Sequence, residues 1–223
     1  MIHTFERSPL DLLLENFEQV ELDVRTYAAT FTGSRFEAIA RRNPDPDTIT
    51  ADDLVAVSML DVHVSGAAAI WLLEEGGAKV SKLLKCIPSD QDLWEVDPAI
   101  VGPRSAAWEL WDLLRGIRWK QSLGKLGPTT CSKLMAAKRP RLLPVHDGRV
   151  QAALYPNGGH DFDFWAAWHD ELTSRPDIRD DVCDRLRGAA GDMPASALRL
   201  LDIAVWSRAR QLGLGGPELV SGE

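Results

Sequence analysis

Apolar residues along this chain recur at intervals of three and four, and no stretch alternates apolar with polar positions long enough to build a sheet. The pattern predicts an all-α fold. Ser8 as an N-cap and Pro9 in the first turn open a helix over residues 8–19. Thr32-Gly33-Ser34-Arg35-Phe36 interrupts the pattern before a short helix through Ala40, and the turn-rich run from Asn43 to Thr48 reads as a linker. Thr50 and Asp53 have the spacing of a capping box, with Leu54, Val57 and Leu60 following on one face. Two shorter helices, 64–75 and 78–85, flank Gly76-Gly77. From Pro103 to Leu114, a stripe of Ala107, Leu110, Trp111 and Leu114 ends at Gly116. Phe162, Trp165, Trp168 and Leu172 form another stripe, and Asp177–Arg187 reads as a charged surface helix. A last helix starts at Pro194 and runs through Leu198, Leu201 and Val205 to Gly213. This divides the chain into an N-terminal helical extension (1–48), a main domain (49–213) and a tail (214–223).

Composition narrows the class. With 223 residues, 45% hydrophobic and 26% charged, the chain has enough apolar side chain for one globular core, and disordered, collagen-like and disulfide-scaffold classes drop out. Cys86, Cys131 and Cys183 are odd in number and widely spaced, which suits neither a disulfide framework nor a metal knuckle and implies a reducing compartment. The N-terminus lacks the layout of a signal peptide, and no apolar run approaches the roughly 18 residues that span a bilayer. A soluble, cytoplasmic protein with no membrane partner is expected. Eight Trp stand against two Tyr and six Phe, and their helical spacing points to core packing.

The net charge of −8 argues against a nucleic-acid partner until it is resolved along the chain. Residues 113–150 hold nine basic residues and one acid, Asp147, so an otherwise acidic protein has one concentrated basic segment. Within it, the glycine turn Gly124-Lys125-Leu126-Gly127 opens a helix of small residues. The amides of Gly127 through Thr130, together with the helix dipole, suit a phosphate, and Thr129, Thr130 and Lys133 add donors. A proline-bracketed basic run, Lys138-Arg139-Pro140-Arg141, leads on to Pro144-Val145-His146-Asp147.

Leu126-Gly127-Pro128-x-Thr130, with Asp147 twenty residues after Gly127, resembles the helix-hairpin-helix DNA glycosylase superfamily. Its members carry a hairpin of the form Leu-Pro-Gly-Val-Gly-Pro-x-Thr-Ala followed by Val-Asp-Thr-His-Val. The match covers residues 119–150, with looser similarity from about 52 to 212. The whole chain also resembles an uncharacterised bacterial family with a Thr-Gly-x-Arg-Phe element, here Thr32–Phe36, which implies no activity. The glycosylase resemblance implies a helix-hairpin-helix bundle, DNA as partner, Asp147 as the catalytic carboxylate, and DNA contacts from Gly124, Lys125, Leu126, Gly127, Thr129, Thr130, Lys133, Arg139 and Arg149. It also implies no metal or other cofactor, since the four-cysteine iron–sulfur motif of some members is missing. Thr129 occupies the position where lyase-active members place a Lys, so a monofunctional enzyme is implied. Lys125 in place of the first hairpin Gly, His146 and Arg149 depart from the pattern.

The chemistry accounts for these parts. Cleaving an N-glycosidic bond develops positive charge on the sugar, which one fixed carboxylate can stabilise while it orients water. The base must leave the stack and enter an apolar or aromatic pocket, for which Trp111, Trp119 and Trp165 are candidates. Each feature also has a plainer reading. Asp147 can cap a helix beginning at Gly148, the glycine turn can be an ordinary connection, the Lys138–Arg141 run can be solvated, and His146 can be a packed ring. His160-Asp161 and His169-Asp170 are spaced too far apart to share a helical face around a metal. Arg199 and Asp202, i and i+3 on the last helix beside Trp206, read as an ion pair. Two further functional classes stay open: a non-catalytic DNA-binding or adaptor protein on the same fold, and an enzyme acting on a small N-glycoside.

Overall fold

The computed structural model describes residues 4–119, 122–158 and 164–215, and among them the fold is all-α. The first predicted helix divides in two, α1 (Pro9–Leu14) and α2 (Phe17–Thr30), because Asn16 leaves the helical region at φ −154° and ψ 66°. Ser8 caps α1 as expected, accepting from the Asp11 amide. A 3₁₀ turn (Thr32–Arg35) and α3 (Phe36–Ala40) follow, then α4 (Ala51–Ser58), whose capping box between Thr50 and Asp53 forms as the sequence predicts. Next come α5 (Gly66–Leu73) and α6 (Gly77–Leu84). They are joined at Gly76, where a Cβ would lie 2.3 Å from the Trp71 ring.

Two short 3₁₀ turns lead to α7 (Ala106–Arg115), capped by Ser105 and buried along Ala107, Trp108, Leu110, Trp111 and Leu114. The connection from α7 to α8 (Pro128–Lys138) contains a two-residue antiparallel ribbon, β1 (Arg118–Trp119) with β2 (Ser122–Leu123), in which Arg118 pairs with Leu123. The glycine turn therefore leaves a β-ribbon; it does not join two helices directly. Beyond it lie α9 (Gly148–Leu154), α10 (Phe164–Ser174), α11 (Pro176–Ala190) and α12 (Ala197–Gln211).

Two helices form the centre. Every residue of α8 from Cys131 to Lys138 is buried, and α12 buries ten of its fifteen. Helix α8 packs on α3, α4 and α7, while α12 packs on α1, α2, α9 and α11. Helix α2, in the expected extension, lies against α11 and α12, and Val20, Val24 and Tyr27 belong to the same core cluster as Leu198 and Leu201. Helix α11, read as a surface helix, buries Val182, Leu186, Ala189 and Ala190 on its inner face. Leu214, at the start of the expected tail, packs against the core. Trp108, Trp111 and Trp165 are core residues: Trp108 and Trp165 lie 4.3 Å apart between ring centroids, and Trp111 meets Trp165 edge-on at 5.7 Å. Phe162 lies outside the described residues. Among the described residues, no helix is long and apolar enough to cross a membrane.

Candidate functional site

The segment Leu142–Asp147 runs through the interior without a neighbouring strand, so its backbone polar groups need other partners. Helices α8, α10 and α12 supply them. The Val145 N–H donates to Asp202 Oδ2 at 2.9 Å, the His146 N–H to Ser132 Oγ at 2.6 Å, and the Pro144 carbonyl accepts from Trp165 Nε1 at 3.3 Å. The His146 ring is packed between Trp111 and Phe164 at centroid distances of 5.7 and 5.1 Å. The stretches of α8, α10 and α12 that hold this segment through Ser132, Trp165 and Asp202 are buried, so Asp147 stands at the end of a core-anchored mount.

Asp147 has extended backbone angles, φ −119° and ψ 143°, and its Oδ1 accepts the Arg149 N–H at 3.0 Å as the N-cap of α9. Its other oxygen, Oδ2, is 3.4 Å from Lys133 Nζ, which itself donates to the Leu60 carbonyl at 3.0 Å. The capping function and a position facing a cavity are therefore both present in one side chain. That cavity has a volume of about 400 Å³. Lys133 and Asp147 meet there with Arg199 and Asp202 from α12, with Asp61 and Arg149, and with an aromatic wall of Tyr27, Phe31 and Trp206. Tyr27 and Phe31 are 4.9 Å apart, and Phe31 and Trp206 5.8 Å. Asp61 holds φ +57°, a left-handed conformation that Asp tolerates better than most residues.

Electrostatics divide the carboxylates of this cavity. Arg199 Nη2 donates to the Tyr27 hydroxyl at 3.2 Å, while its Nη1 is 3.8 Å from Asp202 Oδ2, beyond hydrogen-bond range. The expected Arg199–Asp202 ion pair is thus a loose one inside a pocket wall. Burial pushes the Asp202 carboxyl up to about 7, helped by the charges of Asp147 and Glu37 and opposed by Arg199 and the Val145 N–H. Burial likewise raises the Tyr27 phenol.

The residues expected to touch DNA are dispersed. Lys125 and Gly127 are exposed, and Thr129 and Thr130 are partly so. Gly124 is buried, because a Cβ there would come within 2.8 Å of Ile117 and 3.0 Å of the Ala68 nitrogen; Leu126 is also buried. Arg139 is only 1% exposed and spends its donors on the Ile87, Pro46 and Leu84 carbonyls and on Asp47. Its assignment as a phosphate contact is corrected on that ground. Lys138 pairs with buried Asp53, Arg141 grips Asp92 at 2.8 and 2.7 Å, and Arg149 Nη1 donates to the Leu214 carbonyl. Among the described residues of the basic segment, Lys138, Arg139, Arg141 and Arg149 are thus engaged by partners within the fold, while Arg118 and Lys125 are exposed. Trp111 and Trp165 pack in the core and are not among the residues lining the cavity, and the side chain of Trp119 lies outside the described residues.

Sequence reasoning missed Tyr27, Phe31 and Asp61. The one available signal was the Thr32–Phe36 element, whose Gly33 lets the Tyr27 hydroxyl approach to where a Cβ would lie only 2.0 Å away. His160 and Asp161 lie outside the described residues, and no cluster of three metal-ligating side chains occurs among the described ones.

Residues 19–209 match a family of unknown function, DUF6308, and the chain belongs to it. That span includes every residue lining the cavity, from Tyr27 to Trp206. Nothing matches the chain among the curated proteins or among the solved structures.

Proposed function

We propose that this protein hydrolyses N-glycosidic bonds in the cavity at Asp147. The observation that carries the reading is the placement of the Asp147 carboxylate in the wall of a cavity of about 400 Å³ with aromatic neighbours, where one oxygen caps the first turn of α9 and the other pairs with Lys133. A cavity of that size suits a nucleoside or one extruded nucleotide. The heterocycle stacks on Tyr27, Phe31 and Trp206, and the sugar lies towards Asp147, whose charge stabilises the oxocarbenium-like transition state and orients the attacking water. The helix-hairpin-helix likeness of the glycine turn and its spacing to Asp147 support the same chemistry by analogy alone.

Internal use of Lys138 and Arg139 favours a small N-glycoside over a long duplex as substrate. Base excision from DNA is the second reading, favoured by exposed Lys125 and Gly127 and by Thr129, which precedes Lys133 by one turn of α8 and so shares its face. The test is release of base from free ribo- and deoxynucleosides and from duplexes carrying modified bases, with Asp147→Asn as control. Hydrolysis that falls about 100-fold or more in the variant supports the reading. A wild-type protein that releases no base from either substrate class overturns it. Salt-dependent duplex binding without base release would instead identify a DNA-binding protein on this fold.

A further inference from the structure

Resting on the hydrolase reading, we propose that Asp202 is the second functional carboxyl of the cavity and protonates the departing base. Three observations converge on it. Asp202 lines the same cavity as Asp147 and Asp61 but enters from a different element, α12, as a nearly buried part of the wall. Its two oxygens are unequal: Oδ2 takes the Val145 N–H at 2.9 Å, whereas Oδ1 is buried and hydrogen-bonds nothing. The one cation on its own helix that faces it, Arg199, stands 3.8 Å away, with Nη2 committed to Tyr27 and Nε left without a partner.

A buried carboxylate oxygen with no donor is costly, whereas a protonated carboxyl avoids the charge. The groups around Asp202 act in that direction. Asp147 on the extended segment and Glu37 on α3 raise its proton affinity beyond what burial does, Arg199 and the Val145 amide oppose them, and the carboxyl is pushed up to about 7. A cavity carboxyl with raised proton affinity is suited to act as an acid.

The step balances as follows. The bond between the anomeric carbon and the base nitrogen breaks, and its electron pair goes to the base. The Asp202 proton passes to the base, which leaves neutral, while Asp147 faces the cationic sugar. Water adds to the anomeric carbon, and the proton it loses returns to Asp202. The overall reaction is N-glycoside plus water to free sugar hydroxyl plus base.

The experiment compares guanosine with 7-methylguanosine, free and within a duplex, because the methylated base is already cationic and departs without a proton. Asp202→Asn keeps an acceptor for Val145. It is expected to lose about 100- to 10,000-fold on guanosine and to stay within a few-fold of wild type on 7-methylguanosine, whereas Asp147→Asn loses on both. An active wild type whose Asp202→Asn variant loses equally on both nucleosides, or on neither, overturns the proton-donor role while leaving the hydrolase reading intact. A pH titration of carboxyl carbon resonances in aspartate-labelled protein gives a readout independent of turnover. A resonance with a midpoint near 7 that vanishes in Asp202→Asn supports the proposal, and an Asp202 midpoint in the ordinary carboxylate range overturns it. A wild type that releases no base from these two nucleosides, free or in duplex, nor from any of the other nucleosides and modified duplexes named above, overturns the hydrolase reading and the donor role together.

Discussion

Lys138 Nζ lies 3.2 Å from Asp53 Oδ2 with both side chains almost wholly buried, and the same oxygen accepts the Thr50 N–H at 2.8 Å. Asp53 therefore closes the capping box of α4 and neutralises the last turn of α8, tying together two helices that pack on each other. Removing one partner of such a pair leaves the other charge buried and unpaired, which costs about 3–5 kcal/mol. Asp53→Ala is expected to lose that amount in urea unfolding, well above the roughly 1 kcal/mol of a lost cap alone. A loss no larger than that of Thr50→Ala would show that Lys138 finds water or another acceptor.

This pair also marks the boundary of what the sequence reveals. The capping box, the Ser8 and Ser105 caps and the α7 stripe are legible because cap chemistry and helical period are local, within four residues. Lys138, Arg139 and Arg141 are adjacent in sequence and read as one charge run, yet their partners Asp53, Asp47 and Asp92 lie 49–92 residues upstream. Only the fold brings those acids in, so a charge count could not distinguish a basic face from three long-range ion pairs, two of them with buried cations. Asp147 was legible as a cap because an extended segment meets a helix there, whereas its reading as a candidate site came from the helix-hairpin-helix resemblance and its spacing from Gly127. The aromatic wall was not, since Tyr27 and Phe31 reach the cavity through the packing of α2 on α12, which no local pattern encodes.

Gly33 is the one point in the Thr32–Phe36 element where space, not backbone angle, demands glycine. A Cβ would fall 2.0 Å from the Tyr27 hydroxyl and 2.8 Å from Leu60, both of which line the cavity. Gly33→Ala must displace Tyr27 and with it the acceptor of Arg199 Nη2. Overpacking of this kind costs about 1–3 kcal/mol, and thermal unfolding should show it. Tyr27→Phe, which removes only the hydroxyl, frees part of the space, so the double variant Gly33→Ala/Tyr27→Phe is expected to recover some of the loss. Strictly additive losses would mean that Tyr27 is not the group the new methyl displaces.

The raised Asp202 carboxyl makes a signed prediction about stability against pH. Its ordinary value is 3.8 and its folded value about 7. Below about pH 4 the group is protonated in both folded and unfolded chains and contributes no difference. As pH rises from 4 to 7 the unfolded chain releases this proton first, so folding loses stability across that window and levels off above 7, where both states are ionised. A separation of about three pH units corresponds to a loss of up to about 4 kcal/mol. Asp202→Asn cannot ionise and still accepts the Val145 N–H, so its stability relative to wild type should climb between pH 4 and 7.5. Urea unfolding of both proteins at half-unit pH steps reads this group together with the carboxylates coupled to it, Asp147 and Glu37, while the distant carboxylates cancel in the difference. A difference that stays flat across the window would mean that Asp202 is already ionised at pH 5 in the folded protein, and that Arg199 at 3.8 Å stabilises its charge more strongly than burial opposes it.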